Sequence, residues 1–71
     1  MKSKLIIVDP TQGDTTLEFD TTNTLDGKKA REEFNKKIRD GYTGVGESGK
    51  VSKSLDLDER ETYLIMPIIG G

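Results

Sequence analysis

Two stretches of this chain have residue types and spacing that could do chemistry, and the end of the sequence offers a third. Gly44-Val45-Gly46-Glu47-Ser48-Gly49-Lys50 repeats the first seven positions of a phosphate-binding loop. The eighth position needs a hydroxyl to hold magnesium, and Val51 stands there. Such a loop also follows a strand and opens a helix, whereas the sequence here places it after a helix and before none, so it reads as a flexible loop. Asp56, Asp58, Glu59 and Glu61 bring four carboxylates close in sequence, but the ligand spacing and central glycine of a calcium loop are missing. They read as a solvated acidic turn. The chain has no cysteine and no histidine, which removes thiolate and imidazole nucleophiles, the usual general base and the commonest metal ligand together. No catalytic residue, metal site or cofactor of its own is expected, and the protein does not read as an enzyme.

The third stretch is Glu61-Thr62-Tyr63-Leu64-Ile65-Met66-Pro67-Ile68-Ile69-Gly70-Gly71, an apolar run interrupted by one proline that closes on two glycines. Two residues without Cβ atoms can thread a narrow channel and take backbone angles closed to others. That suits a carboxylate, on Gly71, which the active site of another protein must reach. In such chemistry the small protein is the substrate and needs no catalytic side chain. Lys28, Lys29, Lys36 and Lys37 read as the solvent face of a helix and equally as attachment points, as any exposed lysine does.

These stretches must be positioned by very little protein. Seventy-one residues make one small domain, and with 31% apolar and 34% charged residues the core is thin. A net charge of −2 offers no basic face for nucleic acid. The opening apolar run is too short for a signal peptide and no stretch is long enough to span a bilayer, so a cytoplasmic location is expected.

Leu5-Ile6-Ile7-Val8 ends at Asp9-Pro10 and reads as a strand. Thr15 to Thr21 alternates, with Leu17 and Phe19 on one face, which makes the pair an opening hairpin. Asn23, Thr24 and Asp26 can each cap a helix running from about Gly27 to Asp40. Its buried stripe is Ala30, Phe34 and Ile38. Glu32–Lys36 and Glu33–Lys37 are spaced for helical ion pairs, and Gly41 supplies a left-handed stop. Tyr42 to Ser54 is polar and glycine-rich, with room for one or two weak edge strands. Leu55 and Leu57 can anchor a turn, and Tyr63 to Ile69 reads as the last strand, with Pro67 near its end.

Strand, strand, helix, weak strands, strand is the order of an α+β fold of β-grasp type, a mixed sheet crossed by one helix. The first and last strands, richest in aliphatics, belong side by side at its centre. The domain is expected to span residues 1–69, with 70–71 an exposed tail. If Leu5 and Ile7 face the helix with Leu17 and Phe19, then Ile6 and Val8 face away. By the same alternation Leu64 and Met66 face the helix and Tyr63 and Ile65 face away. One helix covers one face, so the other is expected to carry an apolar partner-binding patch of Ile6, Val8, Tyr63, Ile65 and Ile68. Burial of that face under Tyr42 to Ser54 is the alternative, to which the glycines and lysines of that segment are poorly suited.

The ending Leu64-Ile65-Met66-Pro67-Ile68-Ile69-Gly70-Gly71 resembles that of the ubiquitin-like β-grasp family, most closely the small sulfur carriers of thiamine and molybdopterin synthesis. Lys4-Leu5-Ile6-Ile7-Val8 and the single helix agree with it in order and spacing. The resemblance implies that a separate activating enzyme adenylates the Gly71 carboxylate with ATP, and that the product becomes a thiocarboxylate in a sulfur carrier or an amide in a protein modifier. It also implies docking of that enzyme near Ile65, and an acceptor protein or sulfur-transfer partner. Asp58-Glu59-Arg60 departs from the family in lacking a glycine before the last strand, and Tyr42 to Ser54 is unusually polar. Thr62 to Gly70 also resembles the last strand of the ubiquitin-like domain in lambda-type phage tail-assembly proteins. That likeness implies a non-conjugated interaction module.

Overall fold

The computed structural model describes residues 1–67. Strands β1 (Lys2–Val8) and β2 (Thr15–Asp20) form the opening hairpin, followed by helix α1 (Thr24–Arg39). Strands β3 (Thr43–Gly46), β4 (Val51–Ser52) and β5 (Glu61–Ile65) complete the fold. They make one five-stranded sheet in the order β2-β1-β5-β3-β4. β1 and β5 run parallel in the middle, and every other neighbouring pair is antiparallel. A mixed sheet of this order crossed by one helix is the β-grasp arrangement of the α+β class.

The turn after β1 and both ends of the helix are closed by groups local to them. Asp9 ends β1, and its carboxylate accepts from the backbone and hydroxyl of Thr11, while Gly13, at φ 89°, donates back to the Asp9 carbonyl. Asn23 takes the cap for which Thr24 and Asp26 were equal candidates, accepting from the amides of Leu25 and Asp26 at 3.0 and 3.2 Å. The helix therefore begins three residues before Gly27. It ends as expected at Gly41 (φ 99°), with Gly41 donating to Ile38 and Tyr42 to Lys37, the pairing that satisfies the last carbonyls of a helix. The two spaced acid–lysine pairs of the helix do not close. Among the described residues the ion pairs are Met1–Asp20 and Arg60–Glu47, and Lys37 instead lies 5.2 Å from the centre of the Tyr42 ring.

Leu5, Phe19, Ala30, Phe34, Leu55 and Leu64 form the core, with Ile7, Leu17, Ile38, Tyr42 and Leu57 packed against it. The alternation of β1 and β5 thus runs as the sequence implies through Leu64. It does not extend to Met66, because β5 ends at Ile65 rather than Ile69. Beyond the strand, Met66 lines an apolar depression with Val8, Pro10, Ile65 and Pro67, so its expected place against the helix is corrected.

Candidate functional site: the outer sheet face

The glycine-rich segment is not the flexible loop its composition suggests. Gly44 and Gly46 lie in β3, paired with Leu64 and Thr62 of β5, and both are buried. They point inward, where the Phe34 ring sits on Gly44. A Cβ on Gly44 would lie 2.6 Å from Phe34 Cζ and 2.9 Å from the Ser52 carbonyl oxygen. On Gly46 it would collide with the Glu59 carboxylate. These glycines let the helix and the 55–60 turn approach a strand with no room for side chains.

The turn that completes the phosphate-loop pattern is already occupied from within. Glu59 accepts from the Ser48 amide at 3.0 Å and from the Ser48 hydroxyl at 2.8 Å. A second tie runs beside it, with Glu47 donating its amide to the Glu61 carbonyl and facing Arg60 at 3.4 Å. A phosphate would have to displace a carboxylate here, and no helix follows. The neighbouring acids are similarly committed, Asp56 accepting from the Asp58 amide and Glu61 from the Tyr63 phenol. Among the described residues no three acidic side chains converge on a point where a metal ion could sit.

On the side away from the helix, strand register gathers the sequence-derived patch. Ile6 pairs with Tyr63 and Val8 with Ile65, and none of the four belongs to the core. Two residues that the sequence reading left out join them. Val45 lies opposite Tyr63, and Val51 lies opposite Val45, so an unbroken cross-strand row runs Thr16, Ile6, Tyr63, Val45, Val51. The signal for Val45 was present: it alternates with two glycines, so its outward position follows once Gly44 faces the core. Ile65 is 44% and Val51 66% exposed. Tyr42 to Ser54 therefore extends the sheet instead of covering it.

The outer face has two chemically distinct halves. Beside the apolar row is a second, Val8–Ile65–Thr43, which continues into Pro10, Met66 and Pro67. In the other half, Lys2 faces Asp20, and Lys4 stands between Glu18 and Glu61. Opposite charges alternate there in register, although none of these pairs closes as an ion pair. Tyr63 marks the boundary, its phenol donating to Glu61 at 2.9 Å. That hydrogen bond, with the Glu61 charge and partial burial, pushes the phenol above its ordinary range. The apolar half lies at the end from which the chain leaves β5, and Pro67 there packs near Gly41. Of the residues expected to matter, Ile68, Gly70 and Gly71, together with the boundary between the domain and its tail, lie outside the described residues.

No helix among the described residues is long and apolar enough to cross a membrane. In comparisons with known proteins, no protein-family model, curated protein or solved structure matches the chain.

Proposed function

We propose that the protein is a ubiquitin-like carrier or modifier, docked through its outer sheet face by a separate adenylating enzyme that activates Gly71. The observation supporting this reading is the split of the outer face. Its apolar half, Ile6, Val8, Tyr63 and Ile65 with Val45, adjoins Pro67, only a few residues before Gly70-Gly71. A partner seated on that half is within reach of the glycines, at no more than about 3.3–3.6 Å per residue. Ile65 is exposed and the other four are half-buried, and a contiguous apolar patch open to solvent in this way is the kind of surface that marks a protein interface.

In the proposed reaction a Gly71 carboxylate oxygen attacks the α-phosphorus of ATP and pyrophosphate leaves. A sulfur or amine nucleophile then displaces AMP from the acyl-adenylate, giving a thiocarboxylate, thioester or amide. ATP and every catalytic group belong to the partner. This chain contributes the docking face and two residues without side chains, Gly70 and Gly71. The test is ATP–pyrophosphate exchange with the cognate adenylating enzyme, using protein whose last residue is Gly71. Exchange should vanish on deleting Gly70-Gly71 and fall at least tenfold in Ile65→Asp. Exchange that survives the deletion refutes the reading.

The outer face also suits a second reading, a non-conjugated assembly module of the phage-tail type, because the described part of the face, within residues 1–67, does not include the terminal glycines. That reading expects Ile65→Asp to abolish binding to a structural partner, with deletion of Gly70-Gly71 leaving it intact.

A further inference from the structure

We infer that a second copy of this chain packs against the outer sheet face about a two-fold axis running along β5. β5 is the middle strand of five, so an axis lying along it, in the plane between two stacked faces, exchanges β1 with β3 and β2 with β4. Residues of one cross-strand row then meet the same row of the other copy in reverse order. Self-complementarity can be read directly from the register.

In the apolar row, Ile6 meets Val45 of the second copy, Tyr63 meets Tyr63, and Thr16 meets Val51. In the next row Ile65 meets Ile65 and Val8 meets Thr43. Continuing the β1–β2 and β3–β4 registers by one pair beyond Ile7–Thr15 and Gly44–Ser52 places Asp14 beside Val8 and Lys53 beside Thr43. The reversal therefore sets the acid at one margin against the lysine at the other, twice. In the charged half Lys4 meets Glu47, also twice, since Glu47 continues β3 beside Glu61. The single like-charge contact is Glu61 on Glu61. It sits at the polar end of the axis, with each carboxylate engaged by a Tyr63 phenol, and it subtracts from the attraction of the pair.

The area sets the strength. Strands about 4.8 Å apart give a face about 19 Å across, and two apolar rows of about 7 Å each along the strands cover at most roughly a third of the ~800 Å² per partner of a stable interface. The pair is accordingly weak and concentration-dependent, formed by free protein and displaced by any partner that takes the same face.

Sedimentation of the full chain from about 10 μM to about 1 mM tests this without ATP or an activating enzyme, so its outcome is separate from that of the exchange assay. Dimer should grow with concentration and be absent in Ile65→Asp, with circular dichroism confirming that the variant is folded. Asp14→Lys and Lys53→Asp each place like charges across the axis and should weaken the dimer about tenfold. The double variant restores opposite charges and should recover most of the loss. Monomer throughout the range, a dimer indifferent to Ile65→Asp, or a double variant no tighter than the single ones overturns the proposal.

Discussion

Replacing Gly44 by alanine separates two accounts of the glycine-rich segment by the sign of the effect. In a loosely held loop or an ordinary strand, glycine to alanine removes backbone freedom from the unfolded chain, and a gain of about 0.5–1 kcal/mol is expected. Gly44 has no positive φ to forbid the change. The structure opposes it for a different reason. The new methyl would lie 2.6 and 2.8 Å from two carbons of the Phe34 ring and 2.9 Å from a backbone oxygen of β4, well inside the roughly 3.5–4.0 Å of good carbon contact. Phe34 is fully buried and cannot swing into solvent, so either α1 or the β3–β4 edge must shift. Overpacking of this kind costs about 1–3 kcal/mol, or a fall in Tm of at least about 4 °C for a domain this small. Urea and thermal unfolding followed by circular dichroism measure it. The same substitution at Gly27, in the helix with nothing near its Cβ position, should instead stabilise by roughly 0.5–1 kcal/mol. Phe34→Leu, itself destabilising, should cost less in the Gly44→Ala background than alone. A Gly44→Ala protein as stable as the parent would refute the close packing of β3 under the helix.

Two further outcomes follow from the capping groups. Asn23→Ala leaves the amides of Leu25 and Asp26 without their acceptor and should cost about 0.5–2 kcal/mol in the same unfolding measurement. Asp9 and Asp20 are held below the usual carboxylate range, chiefly by the hydroxyls of Thr11 and Thr22 and then by their amides. A depressed folded pKa means that this stability is present above the ordinary value of 3.8 and is lost as pH falls through the folded value. Acid titration of stability should show a loss beginning near pH 4, reduced in the Thr11→Ala, Thr22→Ala double variant.

Much of this molecule follows from its sequence because the responsible signals are local. The β-branched run before Asp9-Pro10, the Ala30–Phe34–Ile38 stripe and the glycine at position 41 each act within a few residues of themselves. Once Leu5 faces the helix, strict alternation sends Ile6 and Val8 the other way, and the same holds for Leu64 and Ile65. Four members of the outer patch were therefore legible. Three equivalent caps were not resolvable, because Asn23, Thr24 and Asp26 offer the same chemistry and only the path out of β2 selects among them.

What tertiary structure alone decided concerns residues whose meaning depends on a distant neighbour. Gly44 and Gly46 read as flexibility until Phe34 and Glu59 are seen against them. Ser48 reads as part of a flexible loop until a carboxylate eleven residues on takes its donors. Val45 and Val51 read as residues for a polar stretch to bury until β3 pairs with β5 and carries them into the outer row of Ile6 and Tyr63. Composition reports how much apolar surface a segment carries. Where that surface points is settled only when strands far apart in sequence fix their register, because shifting a strand by one residue turns every side chain to the opposite face.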